Sequence, residues 1–282
     1  MQPNLSSPRL TFLAAAALAL ALAGCETVSP QRSVNVAEVV QQDPEVASAN
    51  IQSLSEAIRN NPGDPRAYNT RGAAYARIGD YRRAIDDFSK AISLDPSDAA
   101  AYTNRGLARR QTGDSQAAAQ DFTSAINANP GYAPAYIARG NLRRAQNDLS
   151  GALADLDQAV RLNPESAEAR HARALVYQRQ GNHAQAVLDF NSAIDRNPFV
   201  AAPYAARGQS ELELGRYDKA LEDFNAALNV NNRLADAWAG RGLAQEKLGQ
   251  LAEARASYQS ALGIDPANAV AKAGLRRLGS SS

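Results

Sequence analysis

The sequence predicts an all-α fold, a solenoid of stacked helix-turn-helix units, and three observations support this prediction. An Asn-Pro or Asp-Pro dipeptide recurs with a fixed period of 34 residues, which is typical of helical hairpins stacked in a row. Within each period, apolar residues stand three and four positions apart, as in amphipathic helices. Alanine, the strongest helix former, supplies much of the apolar content. The dipeptides are Asn61-Pro62, Asp95-Pro96, Asn129-Pro130, Asn163-Pro164, Asn197-Pro198 and Asp265-Pro266, with Asn231-Asn232 at the remaining position.

The amino-terminal segment has the features of a secretory signal. Arg9 precedes a short apolar run over 10–23, and small residues follow at Ala23 and Gly24. This order of a basic residue, an apolar stretch and a small-residue cleavage site defines a signal peptide. The run is shorter than the roughly 20 apolar residues that a membrane-spanning helix needs. Residues 1–24 are therefore predicted to be a signal peptide.

The end of this segment, Leu22-Ala23-Gly24-Cys25, resembles the bacterial lipobox. The resemblance implies that the chain is cut before Cys25, that Cys25 is lipidated, and that the protein is anchored in the bacterial envelope facing the periplasm. Several acyl chains anchor far more firmly than one, since each buried CH₂ contributes about 0.8 kcal/mol. Glu26 follows the cysteine where an aspartate marks inner-membrane retention in enteric bacteria, which favours the outer membrane. The alternative is an ordinary signal peptide with an incidental cysteine.

Two segments separate the lipidation site from the repeats. Residues 25–43 are polar and lack periodicity, so they are predicted to be a tether. Asp43-Pro44 then places a capping carboxylate before a proline that can occupy the first helical position. The apolar spacing that follows matches the second helix of a unit. The segment 44–62 is therefore predicted to hold one amino-terminal helix.

The repeat divides residues 65–268 into six units. Alanine occupies positions twenty and twenty-seven of every unit, and position eight is glycine or alanine. Position twenty-four is always large, so small residues let helices cross closely while large ones fill the space between hairpins. Residues 269–278 begin like a seventh unit and are predicted to form a capping helix with one polar side. The units are 65–98, 99–132, 133–166, 167–200, 201–234 and 235–268.

This pattern resembles the tetratricopeptide repeat across 65–268. The resemblance implies a right-handed solenoid that binds other proteins in its concave groove. A lipobox with such repeats is found in NlpI-type lipoproteins, which hold peptidoglycan hydrolases and a protease near the envelope. It is also found in pilotin-like lipoproteins, which help assemble pilus or secretion rings. The expected function is a membrane-tethered periplasmic scaffold, with the pilotin-like role and direct peptidoglycan binding as alternatives.

Position seven departs from the family pattern, because it is arginine in all six units where an apolar residue is usual. Position twenty-three is aspartate in the first five units. These arginines could form a ladder that binds a ligand. Alternatively they are structural, because a partly buried guanidinium needs a charged partner. The predicted structural pairs are Arg71 with Asp87, Arg105 with Asp121, Arg139 with Asp155, Arg173 with Asp189 and Arg207 with Asp223.

The resemblance also implies which residues line the groove. The candidates are basic in the first four units and acidic in the last two, so an acidic stretch of a partner is expected against units one to four. Arg109 and Arg143, at a position usually held by a large residue, could add to the basic half. The candidates are Arg66, Asn69, Arg77, Thr103, Arg110, Asn141, Arg144, His171 and Arg179, followed by Glu213, Asp236 and Glu246.

Several classes of function are not supported by the sequence. The net charge of +1 gives no overall basic field for nucleic acid. His171 and His183 are the only histidines, and no Cys/His set has metal-ligand spacing. No phosphate loop, dinucleotide fingerprint or nucleophile elbow occurs. The lysine–asparagine arrangement of chaperone-binding repeats is not recognisable either. The protein is therefore expected to be no enzyme and to need no cofactor or metal.

Overall fold

The computed structural model describes residues 44–279, and within them every regular element is an α-helix. The predicted all-α class is thereby confirmed. The predicted signal peptide (1–24), Cys25 and the tether (25–43) lie outside the described residues. In the part described, no helix is both long enough and apolar enough to cross a bilayer. The helices are α1 (Pro44–Asn60), α2 (Pro65–Arg77), α3 (Tyr81–Leu94), α4 (Ala99–Gln111), α5 (Ser115–Ala128), α6 (Ala133–Ala145), α7 (Leu149–Leu162), α8 (Ala167–Arg179), α9 (His183–Arg196), α10 (Ala201–Glu213), α11 (Tyr217–Val230), α12 (Ala235–Lys247), α13 (Leu251–Ile264) and α14 (Ala269–Gly279).

Each 34-residue unit forms one hairpin, with a first helix of 13 residues and a second helix of 14. Each second helix also packs against the first helix of the next unit, so the hairpins follow one another as a solenoid. The amino-terminal α1 packs on α2, and α14 covers α12 and α13 at the other end.

The first helices of successive units also contact one another, whereas within residues 44–279 no two second helices do. The row of first helices is therefore the tighter, inner side of the stack. We call the exposed face of α2, α4, α6, α8, α10 and α12 the inner surface.

Close approach within each hairpin depends on a small residue facing a large one. The large side chain at position twenty-four is buried in every unit, and the alanines at positions twenty and twenty-seven are buried beside it. A Cβ added to Gly140 would lie 2.8 Å from Leu156 Cγ, so glycine is required there by packing. The buried large residues are Phe88, Phe122, Leu156, Phe190, Phe224 and Tyr258.

The turn between the two helices needs a left-handed backbone residue. Five units supply glycine, such as Gly79 with φ of 80°, and the third supplies Asn147 with φ of 64°. Glycine and asparagine are the residues that adopt this conformation most easily. The following residue caps the second helix where it is Asp or Asn: Asp80, for example, accepts a hydrogen bond from the Arg83 amide at 3.0 Å.

The recurrent Asn/Asp-Pro dipeptide lies in the turn between units. From the second dipeptide onward, its first residue accepts a hydrogen bond from the amide two residues later, as Asp95 Oδ1 does from Ser97 N at 2.9 Å. Asn231 makes the same bond to Arg233 N at 3.0 Å, although Asn232 stands where the other units have proline. The side-chain bond is thus the common element of the turn, and proline reinforces it by fixing one backbone dihedral.

Candidate protein-binding surface

The position-seven arginines reach the position-twenty-three aspartates across each of the first five hairpins. Arg71 is representative: its Nε and Nη2 donate to the two carboxylate oxygens of Asp87, each at 2.7 Å. The aspartates are buried, at 2–6% exposure, and the arginine side chains retain 16–22%. Bidentate, charge-assisted bonds of this kind are among the strongest polar contacts in proteins. We call this row of pairs the arginine ladder.

The ladder also joins neighbouring units. The remaining terminal nitrogen of each arginine donates to a side chain of the preceding unit, as Arg105 Nη1 does to Ser89 Oγ at 3.1 Å and Arg173 Nη1 to Asp157 Oδ1 at 2.9 Å. Each guanidinium also lies beside an aromatic ring, with Arg105 Cζ 5.7 Å from the ring centroid of Tyr102. This geometry favours the structural interpretation of the arginines over the ligand-binding one.

Arg109 and Arg143 also contact the ladder. Arg109 Nη1 lies 2.9 Å from Asp121 Oδ2, and Arg143 Nη1 lies 2.8 Å from Asp155 Oδ2. Each of these aspartates therefore pairs with two arginines. The expectation that Arg109 and Arg143 add free positive charge to the groove needs correction, because buried carboxylates hold both guanidinium groups.

The sixth unit lacks the ladder aspartate and satisfies its arginine differently. Arg241 Nε donates to Ser257 Oγ at 3.0 Å, and Ser257 donates in turn to Gln245 Oε1 at 2.6 Å. The Arg241 guanidinium lies 4.0 Å from the ring centroid of Trp238. Burial without a carboxylate partner lowers the pKa of Arg241.

Three arginines of the inner surface lack a carboxylate partner in the part of the chain that the structure describes. Arg110, Arg144 and Arg179 lie in or beside the last turns of α4, α6 and α8, three consecutive first helices. None of them lies within salt-bridge distance of a carboxylate in residues 50–279. Burial lowers the pKa of Arg110. Burial, with added repulsion from Arg179 and Arg110, lowers the pKa of Arg144. We call these three residues the arginine cluster.

Arg144 is the central member of the arginine cluster and the least compensated. It is half-buried, and its Nε is shielded from solvent with no hydrogen-bond acceptor among the described residues. Arg179 Nη1 donates to the backbone carbonyl of Arg144 at 3.1 Å, at the carboxyl end of α6. The partial negative charge of helix carboxyl ends favours cations there, typically by 0.3–1 kcal/mol, which offsets only part of the burial cost.

His171 adjoins the arginine cluster on α8. Its ring is half-buried and tilted against Phe190, with 5.7 Å between the ring centroids. Burial, reinforced by the nearby charge of Arg144, lowers the pKa of His171 to about 4. His171 is therefore neutral at neutral pH and adds no charge to the inner surface.

The other basic-half candidates are less available than the sequence suggests. The prediction that Thr103 lines the groove needs correction. Its side chain is only 2% exposed, and its Oγ1 donates to the Ala99 carbonyl at 2.8 Å. Asn69 is half-buried and bonds Asn104 in the next unit at 3.0 Å. Arg66 is exposed and pairs with Asp64 at 3.2 Å. Arg77 and Asn141 are half-buried.

The acidic half is partly neutralised within the chain. Glu246 accepts hydrogen bonds from Arg277 at 2.7 and 2.8 Å and from the Tyr258 hydroxyl at 2.6 Å. Asp236 accepts one from Asn268 Nδ2 at 2.8 Å, whereas Glu213 is exposed. The charge contrast along the inner surface is therefore smaller than predicted, because α14 brings Arg277 against Glu246.

An apolar cleft lies at the carboxyl-terminal end of this surface, between α12 and α14. Its volume is about 640 Å³, and Leu243, Val270, Ala273 and Arg277 contribute to its walls. Val270 is 46% exposed, which leaves apolar area open to a partner. Across residues 44–279, no cluster of three or more His, Cys, Asp or Glu side chains could hold a metal ion.

The architecture is that of a protein-interaction solenoid, and comparison of sequences identifies its family. Sequence models described as tetratricopeptide repeats match residues 65–98, 99–132, 140–181, 167–199 and 205–269. Together they cover more than half of the chain, which therefore belongs to the tetratricopeptide repeat family. Repeats of this family bind other proteins or peptides. No curated protein matches the sequence.

Solved structures share the fold at low sequence identity. A chain of the APC/C hetero-tetramer Cut9-Hcn1 aligns with a TM-score of 0.72 and 18% identity over 80% of this chain, which spans 45% of that chain. PilF of Pseudomonas aeruginosa aligns with a TM-score of 0.69 and 17% identity, covering 76% of this chain and 97% of PilF. PilW, a type IV pilus biogenesis factor, aligns with a TM-score of 0.67 and 18% identity, covering 75% of this chain and 98% of PilW. At these identities, the likeness concerns the fold alone.

Proposed function

We propose that this protein is a lipid-anchored scaffold of the bacterial cell envelope that recruits other proteins along its inner surface. The observation that carries the proposal is that two sets of arginines in the repeats differ in whether a carboxylate pairs with them. The ladder arginines pair with buried aspartates, whereas the arginine cluster has no carboxylate partner within residues 50–279 and leaves positive charge on the inner surface. The same surface carries this charge on α4, α6 and α8 and open apolar area between α12 and α14, and both features are suited to contact with another protein.

The anchor in this proposal rests on the Leu22-Ala23-Gly24-Cys25 sequence. Lipidation of Cys25 would hold the chain at the membrane, and Glu26 favours the outer membrane with the repeats in the periplasm. Residues 25–43 would act as the tether. At about 3.3 Å per residue, a fully extended tether of this length reaches roughly 60 Å from the bilayer.

The partners we propose are proteins of the cell envelope, with peptidoglycan hydrolases or proteases as the first class. A second candidate function is assembly of a pilus or secretion ring, favoured by the fold likeness to PilF and to the pilus biogenesis factor PilW. Direct glycan binding is less well supported. Glycans stack on exposed aromatic rings, whereas the tyrosines at position four are half-buried beside ladder arginines.

In-cell photocrosslinking tests the proposal. A photoreactive amino acid would replace the exposed residues Gln111, Glu213 and Asp236 on first helices, and Asp86 and Glu222 on second helices would serve as controls. The expected result is an envelope protein crosslinked from the first-helix positions and not from the controls. Hydrolases or proteases would support the scaffold, and pilus or ring subunits the assembly role. Crosslinking confined to the control positions would contradict both.

A further inference from the structure

We propose that Arg110, Arg144 and Arg179 form a binding site for the carboxylate groups of an acidic peptide segment, with Arg144 at its centre. The inference rests on the proposed function in one respect, namely that a protein partner reaches the inner surface. It adds the chemistry that the partner must present there.

The ladder arginines and the arginine cluster belong to the same repeats but differ in their counter-charges. In the ladder, every arginine of the first five units has a buried aspartate within 2.5–2.8 Å. The arginine cluster, one helical turn or more further along the first helices, has no carboxylate within 4.0 Å in residues 50–279. The described part of the fold thus supplies counter-charges to the ladder and none to the arginine cluster.

The arginine cluster is energetically unfavourable in the absence of a ligand. A partly buried cation is unfavourable unless a partner compensates its charge, and a buried donor without an acceptor costs about 1–3 kcal/mol. Arg144 has both features, because its buried Nε meets no acceptor among the described residues and two neighbouring arginines repel its charge. A carboxylate on the terminal nitrogens of Arg144 would relieve this repulsion. Binding would therefore stabilise the solenoid itself.

The geometry of the arginine cluster specifies the kind of ligand. Guanidinium forks match carboxylates in bidentate fashion. The three arginines come from three successive first helices, which contact one another, so neighbouring guanidinium groups start from axes about 8–10 Å apart. A peptide in the polyproline II conformation has three residues per turn and advances about 3.1 Å per residue, so acidic residues at every third position would lie on one face about 9 Å apart. A row of this kind fits a carboxylate-bearing peptide better than one compact anion.

A synthetic peptide can test the site directly. The probe is a fluorescent peptide with three Glu residues separated by Ser-Ser, capped at both ends, and the control peptide has Gln in place of Glu. Binding to the full chain in detergent would be followed by fluorescence anisotropy at constant ionic strength. Arg144→Gln should weaken binding of the Glu peptide by about tenfold, a loss of 1.4 kcal/mol. Arg82→Gln, which removes an exposed arginine of α3, should leave the affinity within about twofold.

Thermal melting gives an independent readout. Without peptide, Arg144→Gln should melt at the wild-type temperature or a few degrees higher, because repulsion in the arginine cluster is removed. A saturating amount of the Glu peptide should raise the melting temperature of the wild type and of Arg82→Gln by about 2–4 °C, and that of Arg144→Gln by less.

Three results would overturn the site. The first is equal affinity of Arg144→Gln and Arg82→Gln for the Glu peptide. The second is binding of the Gln peptide as tight as that of the Glu peptide. The third is displacement of the peptide by inorganic phosphate more readily than by citrate at equal ionic strength, which would identify a phosphate site instead.

If peptide binding fails while crosslinks from the inner surface persist, the scaffold function stands without this site. If peptide binding succeeds without crosslinks, only the scaffold function falls.

Discussion

At the scale of single residues, the same side chain has two roles that depend on its position in the repeat. Arginine at position seven faces a buried aspartate and links its own hairpin to the preceding unit. Arginine near the end of the first helix faces the inner surface without a counter-charge in the described residues. The first arrangement contributes to the specificity of packing, and the second leaves charge for a partner.

The ladder pairing makes a stability prediction at this scale. Asp155→Ala should destabilise the fold by about 3–5 kcal/mol, because it leaves Arg139 and Arg143 partly buried without their carboxylate. Arg139→Ala should cost less, since Arg143 still pairs with Asp155. The double variant should lose less than the sum of the single losses, as urea denaturation would measure. Strictly additive losses would show that the two side chains are not coupled in the folded protein.

His171 predicts a pH dependence. Its pKa is about 4 in the folded protein and 6.5 when unperturbed, so between these values the unfolded chain binds more protons. Protonation of His171 in the unfolded chain therefore lowers the free energy of unfolding as the pH falls from 6.5 towards 4, whereas above pH 6.5 His171 has little effect on it. By pH 5, the loss should be roughly 1–2 kcal/mol. His171→Gln should lose less stability than wild type between pH 7 and 5, and an equal loss in both proteins would contradict this assignment.

The sequence predicts the pairing and burial of some side chains and not of others. The ladder pairs stand 16 positions apart in every unit, so a repeat-based alignment places them on facing helices. The pairing of Glu246 with Arg277 crosses 31 residues and depends on how α14 packs, which no repeat predicts. The burial of Thr103, at 2% exposure, is likewise a feature that its position in the repeat does not predict. Periodicity assigns a helix face but does not show how closely the adjacent unit covers it.

At the scale of elements, each hairpin depends on a glycine or alanine that faces a large side chain. The 34-residue period and its small residues predict the hairpins because both features are local and repeated. The turns are predictable for the same reason, since glycine or asparagine stands at the left-handed position in all six units. Contacts between α14 and the last unit are less predictable, because the capping helix follows no repeat.

A pair of glycine substitutions tests this packing. Gly106→Ala should destabilise the protein by about 1–3 kcal/mol, because the new Cβ would lie 2.5 Å from the Phe122 ring. Gly263→Ala is the matched control in α13, where a Cβ meets nothing within 4 Å. It should be stabilising by about 0.5–1 kcal/mol through helix propensity. If the melting temperatures of both variants shifted in the same direction from wild type, helix propensity and not packing would govern these sites.

At the scale of the whole molecule, the proposal joins a membrane anchor to an extended binding surface. Composition alone predicts neither part of the proposal, because the anchor rests on the order of residues 22–25 and the inner surface depends on contacts between units. The uncompensated charge of the arginine cluster was not predictable, because it depends on which guanidinium groups find a carboxylate in the folded chain.

The anchor makes its own prediction. Cys25→Ala should abolish incorporation of a labelled fatty acid and leave either an uncleaved precursor or a soluble protein. Metabolic labelling followed by membrane fractionation would measure both effects. Equal labelling of the wild type and of Cys25→Ala would exclude lipidation at this residue.

The central claim is that partners are held by the charge of the inner surface, and the most direct test combines charge reversal with crosslinking in cells. The photoreactive residue would be placed at Gln111, in wild type and in Arg110→Glu with Arg144→Glu. Circular dichroism melting would check that the reversed protein remains folded. We predict that the crosslinked partner is lost or reduced at least about tenfold in the reversed protein, while Arg82→Glu retains it. A folded Arg110→Glu, Arg144→Glu protein that crosslinks the same partner at wild-type yield would contradict the claim.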